Sequence, residues 1–203
     1  VKELAVVNPA KAERSEIVEM LLQSGLWTRI VERPFGVIAN PDNQPKAIFV
    51  SAFDSAPLAP DYNFLLKEEK AAVECGMAVL ARLTDGKVHL SYDAECQKPQ
   101  IDGVELHAFK GKHPAGNVGV QIHHIDPIRK GETVWTVSPV MLAAIGKLFN
   151  TGKYDVSRKI AVTGPKAVNP AYVDAYPGIA MKDLKEFYDP SENLRYISGD
   201  VLT

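Results

Sequence analysis

The chain alternates between stretches with an apolar residue every three or four positions and short continuous apolar runs. These are the marks of amphipathic helices and buried strands. Residues 15–24 predict a helix: Ile17, Val18, Leu21 and Leu22 share one face, Ser15 stands at the N-cap and Gly25 at the stop. "KAIFVSAF" (46–53) predicts a buried strand that runs into the proline-rich loop "DSAPLAPDYN". Residues 64–84 carry the clearest helical stripe, Val73, Met77, Leu80 and Ala81, with Gly86 beyond it. "KVHLSY" (87–92), "VELHAF" (104–109) and "ETVWTV" (132–137) predict further strands, and "HPAGNVGVQIHHI" (113–125) a loop that enters a helix. Residues 138–152 predict a helix with Ser138 as N-cap, Pro139 in the first turn and Gly152 past the end. A strand at 159–164, a loop containing "NPAYVDAYPG", a short helix near 180–187 and a last strand, "RYISG", complete the pattern.

Strands alternating with helices predict a three-layer α/β domain around a largely parallel sheet. Such sheets hold ligands at the carboxyl ends of their strands. The loops at 51–63, 110–117 and 163–178 are therefore the functional candidates by position.

Composition narrows the classes of partner. The 203 residues are 46% apolar, enough for a substantial core, and the net charge is −2 with no basic stripe. Nucleic acid is excluded on this count, because phosphate neutralisation needs clustered Lys and Arg. No apolar run reaches the length of a membrane span and no signal peptide opens the chain, so membrane association is expected through a partner. Cys75 and Cys96 form no CxxC pattern, which argues against an iron–sulfur cluster or a structural zinc. A start at Val1 and an end at "ISGDVLT" give the expectation of a piece of a longer protein.

Candidate chemistry is sparse. His113, His123 and His124 lie close in sequence, but adjacent helical residues point about 100° apart, and no HExxH accompanies them; no metal is expected. "GNVG", with Gly116, Asn117 and Gly119, could cradle a phosphate or serve as a plain turn into a helix. "VTGP", with Gly164, is open to the same two readings. There is no GxSxG, P-loop or SxxK.

Five stretches together carry more: "SGLWTRIVERPFG", "PKAIFVSAFDSAPLAPDYNF", "HPAGNVGVQIHHIDPIRKGETVWTV", "AAIGKLFNTGKY" and "RYISGDVLT". In this order, along essentially the whole chain, they resemble the NqrA family, a component of the bacterial sodium-translocating NADH:quinone oxidoreductases. The resemblance implies membership of a six-subunit inner-membrane complex that passes electrons from NADH to ubiquinone and pumps sodium ions outward. NqrA would be its peripheral, cytoplasm-facing member, without flavin or iron–sulfur cluster of its own and associated with quinone. NADH, FAD, FMN and Fe–S would belong to the other subunits. Those would be its partners, chiefly one that is membrane-embedded and carries flavin. Residues 1–203 would form the central Rossmann-like domain, with an N-terminal biotinyl/lipoyl-like region and a C-terminal region outside it.

The family is similar in fold to the FMN-binding domain of the NADH-binding subunit of complex I and to the RnfC protein of the Rnf electron-transport complex. In those relatives a GxGGAGFP loop lets flavin phosphate approach bare backbone. Here the corresponding stretch reads "LWTRIVERPFG", and Trp27, Arg29, Ile30 and Val31 would obstruct that approach. The relatives' acidic "GEE" stretch corresponds to "AGNVGVQ", with no carboxylate. The main expectation is a quinone-contacting or scaffolding segment, with Trp27, Arg33, Pro34 and Phe35 supplying an aromatic face, a donor and apolar lining. Two readings stay open beside it: a flavin- or nucleotide-binding domain using the loops at His113–Gly119 and Gly164, and a docking module for a membrane subunit.

Overall fold

The computed structural model describes residues 3–189, 191 and 193–202. Its first helix, α1 (Arg14–Ser24), buries Ile17, Met20 and Leu21. Its N-cap is Glu13, not the expected Ser15: Glu13 and Glu16 form a reciprocal capping box, which satisfies two orphan amides where a lone serine would satisfy one. Gly25 ends the helix at φ +80°, and a 3-10 turn (Leu26–Arg29) follows it directly.

The next segment is a hairpin, β1 (Val31–Arg33) and β2 (Val37–Ile38). Its turn closes through Gly36 N donating to Glu32 O at 2.8 Å, with Gly36 at φ +69°. Beyond it come β3 (Ala47–Ala52), the short α2 (Tyr62–Leu66), α3 (Lys70–Ala81), β4 (Lys87–Asp93) and β5 (Glu105–Phe109). Then follow α4 (Val118–Ile125), β6 (Val134–Val137) and α5 (Pro139–Thr151). The helix expected over 64–84 is split, because the chain turns at Leu66–Glu69 so that α3 can dock on α5 and the Glu69 carboxylate can meet Lys147 at 2.6 Å.

Six strands form one sheet in the order β2-β1-β6-β3-β4-β5. β3 is parallel to both β4 and β6, and β4 to β5, whereas β1 and β2 run antiparallel. Strand alternation sends Ile48, Val50, Val88, Leu90, Trp135 and Val137 into a large core with α1, α3 and α5. Ala47, Phe49 and Val134 face the other way, onto Ile122 of α4. This is the expected three-layer, largely parallel architecture.

The remaining strands do not join that sheet. β7 (Arg158–Val162) pairs antiparallel with β8 (Ala171–Ala175) as a separate two-stranded arm. β8 falls within the stretch read as a loop, and "RYISG" forms no strand. The arm rests on the main body through Tyr172, whose ring stacks on Phe64 and whose hydroxyl accepts from the Asp61 amide at 2.8 Å. A 3-10 helix (Met181–Phe187) stands where the short helix was expected.

Small residues set the depth of the α3–α5 contact. A Cβ on Gly146 would collide with the Ala72 carbonyl, and one on Gly76 with the Leu142 carbonyl. Gly146→Ala should therefore destabilise the protein by about 3 kcal/mol, lowering the midpoint of thermal unfolding by roughly 6–12 °C. Gly119 on α4 faces open space. Gly119→Ala should leave the midpoint unchanged or raise it slightly through helix propensity. Calorimetry of the two variants checks the pair.

Candidate functional site

The strand order reverses between β3 and β6, so the carboxyl ends of these two strands frame the crevice where such sheets bind ligands. Local contacts occupy much of it. Ser51 Oγ donates to Phe53 O at 2.9 Å, Asp54 accepts from the Ala56 amide, and Ser138 caps α5. Gly116 donates its amide to Ser55 Oγ at 2.7 Å. A Cβ on Gly116 would strike the Ser55 amide, so this glycine serves a close packing of two loops. Gln121, 1% exposed, reaches from α4 to the Ala115 and Phe53 carbonyls at 3.3 and 3.5 Å. Asn117 starts α4 without a side-chain cap. His113 is half-buried, and its Nδ1 has no partner among the described residues. Gly164 belongs to the separate arm and not to this edge.

A second open region lies at the opposite ends of the strands. β1 descends beside β6 so that Arg33 stands across from Val134, the first residue of β6. The hairpin turn thus reaches the amino edge of the parallel strands. There Pro34 and Phe35 border an open depression of about 410 Å³ with Ile128, Arg129, Lys130, Gly131, Glu132 and Thr133. Its far wall is pinned by Lys46, whose ammonium bridges Asp126 at 2.6 Å and Glu132 at 2.9 Å. One ammonium thus serves two carboxylates, which leaves the trio with one net negative charge; the Glu132 carboxyl is held below its ordinary pKa, first by the Arg129 amide and then by Lys46.

The four residues proposed for a quinone are not brought together. Trp27 is 2% exposed; it lies edge-on to Trp135 and donates its Nε1 hydrogen to Ala39 O at 2.7 Å. Trp27 therefore faces the closed core, whereas Phe35 lies beyond β1 in the hairpin turn. Arg33, Pro34 and Phe35 remain adjacent. Phe35 is 69% exposed, and the Arg33 Nε is buried without a partner among the described residues.

Two histidines outside the sequence-derived candidates do meet. His89 stacks on Phe49 with ring centres 4.6 Å apart, and its Nδ1 lies 3.0 Å from His107 Nε2. Burial, then the neighbouring His107, lowers the His89 pKa to about 4. The signal was present: each of two adjacent strands carries one histidine at an alternating position on the α4 face. His123 and His124, by contrast, are exposed on α4, and no cluster of three metal-ligating side chains occurs among the described residues.

Residues 12–154 match the family described as NqrA second alpha/beta domain. The chain belongs to that family. Relatives named as the A subunit of Na(+)-translocating NADH-quinone reductase are 38% identical in Saccharophagus degradans and 40% in both Alcanivorax borkumensis and Serratia proteamaculans. These alignments cover 96%, 94% and 98% of this chain but 44%, 43% and 44% of the relatives. The chain thus spans somewhat less than half their length. A chain of the NAD+-reducing [NiFe]-hydrogenase in its H2-reduced state is similar in fold, with TM-score 0.64 at 14% identity over 87% of this chain and 39% of that one. The air-oxidised state gives 0.60 at 16% identity with the same coverage. No described helix of this NqrA-family domain is long and apolar enough to cross a membrane.

The histidine pair gives a pH prediction. His89 is neutral in the fold well below its ordinary pKa of 6.5. Its contribution to stability is therefore complete above pH 6.5 and is lost as pH falls toward about 4. Between pH 6.5 and 5 the protein should lose about 1.5 kcal/mol from this source. Urea unfolding at the two pH values should show that loss, and His89→Gln, which cannot titrate, should remove most of it.

Proposed function

We propose that this chain is the central α/β domain of the peripheral, cytoplasm-facing NqrA component of a sodium-translocating NADH–quinone reductase. Its role there is to contact the quinone at the depression beside Phe35. The name carried by the relatives supplies the setting, a complex that takes electrons from NADH and delivers them to a quinone. In this reading flavins and iron–sulfur clusters lie in the other subunits, and the partners include a membrane-embedded one that carries flavin. The carrying observation is the depression itself, where an exposed aromatic ring, Pro34 and Ile128 adjoin Arg129; Arg33, whose buried Nε has no partner among the described residues, stands next to Pro34 in the chain. A quinone head needs an apolar slot, a face to lie against and donors for its carbonyl oxygens. Trp27 has no part in that contact; it anchors the hairpin that makes it.

A second reading rests on a separate observation. The start of α4 is uncapped, Gly119 faces open space, and Lys110 and Lys112 are exposed just before it. That combination would suit the phosphate of a flavin or nucleotide. Flavin absorbance that survives dialysis of the purified full-length chain would favour this reading over the first. Absence of both flavin and quinone binding would leave docking to a membrane subunit.

The quinone reading is tested at Arg33. Losing a hydrogen bond from a charged donor costs about 1.5–3 kcal/mol, or roughly a ten- to hundredfold loss of affinity. Arg33→Ala in the full-length protein should weaken binding of a short-chain quinone by that factor while thermal unfolding stays nearly unchanged. Arg33→Lys should recover part of it, since a point charge replaces a planar fork. Phe35→Leu should have a smaller effect. Wild-type affinity combined with an early melt would make Arg33 structural and end the quinone reading of this loop.

A further inference from the structure

We propose that the β1–β2 hairpin is a membrane-surface contact, in which Phe35, Val37 and Ile38 enter the interface of an anionic bilayer and Arg33, Arg129 and Lys130 meet its headgroups. The three apolar side chains are 69%, 52% and 56% exposed on one short ribbon at the edge of the sheet. Arg129 and Lys130 line the depression beside Phe35, and neither these two nor Arg33 forms a salt bridge among the described residues. Acidic groups nearby are already engaged. Asp126 and Glu132 share Lys46, and Glu32 lies beneath the sheet with Trp135 Nε1 at 3.2 Å. Asp42, on the loop after β2, is the exposed exception.

Unpaired cations around projecting apolar side chains match a headgroup layer over hydrocarbon, with charge at the rim and apolar groups at the centre. A β2 of two residues is too short to template strand addition by a protein partner. The chain as a whole carries −2, so attraction to an anionic surface must be local to this edge. The proposal deepens the quinone reading, since a lipid-soluble quinone would reach the depression from the bilayer. Vesicle binding, however, is measured without any quinone.

The full-length protein is sedimented with vesicles of phosphatidylcholine alone, and with vesicles containing about one third phosphatidylglycerol. The expected result is binding to the anionic vesicles only. Phe35→Ser and the double change Arg129→Glu, Lys130→Glu should each reduce partitioning by about tenfold or more, with unfolding midpoints unchanged. Wild-type protein left in the supernatant overturns the proposal and makes an acidic protein surface the better occupant of this edge. Binding that neither variant weakens also overturns it. If vesicle binding holds while a water-soluble short-chain quinone does not bind, the quinone reading alone fails.

Discussion

Two indole N–H groups hold the edge of this domain in place. Trp27 and Trp135 meet edge to face, with ring centres 5.5 Å apart and planes at 86°. Trp27 donates to the carbonyl of Ala39, just past β2, and Trp135 donates to the Glu32 carboxyl group on β1. Each tryptophan thus fastens one strand of the hairpin to the core. A hairpin of three and two residues has too few cross-strand pairs to stand alone. Its position, and with it the direction of Arg33 and Phe35, follows from these two buried bonds together with the pairing of β1 on β6. An indole in the core loses its hydration and must find an acceptor, so the cost of leaving either bond unmade keeps the hairpin on the sheet.

The same cluster explains why bulky residues occupy a stretch where a phosphate-binding loop would need bare backbone. Leu26, Trp27 and Ile30 are buried in the large core. The two glycines of the stretch have local duties at its ends, Gly25 in the left-handed cap of α1 and Gly36 in the hairpin turn. No glycine lies between them. Backbone amides that could meet a phosphate are instead engaged in the 3-10 turn, where Thr28 N donates to Gly25 O and Ile30 N to Trp27 O.

Elements with a strong period and a cap were legible in the sequence: α5 with Ser138 and Gly152, and the strands at 47–52, 87–93 and 134–137. The hairpin was not, because its apolar content is Val31, Val37 and Ile38, and two of these are exposed. Its stability comes from tryptophans that propensity cannot pair. The break before α3 was hidden for a similar reason. Lys67–Glu69 contains no helix breaker, and the turn is set by the fit of α3 against α5 and by the Glu69–Lys147 ion pair. Within the candidate site, Arg33, Pro34 and Phe35 were legible as neighbours in sequence. Ile128, Arg129 and Lys130 were not, since the β1–β6 pairing that brings them close joins distant parts of the chain.

Position in the fold then bears on chemistry. At the carboxyl edge of a parallel sheet the donors are backbone amides of loops and helix starts, and these suit phosphate. Here several are engaged: Gly116 by Ser55, Ala56 by Asp54, and Met141 by Ser138. At the amino edge the donors are side chains: Arg129 lines the depression with the exposed ring, and Arg33 precedes that ring by two residues on β1. Side-chain donors are mobile and need a rigid mount to recognise a small planar ligand. The mount available is β1, locked between β2 and β6 and tied by Trp135 to the core. The antiparallel addition to an otherwise parallel sheet therefore carries the candidate chemistry away from the crevice where the fold would place it. It carries that chemistry to an edge that a large apolar partner can approach without entering the core.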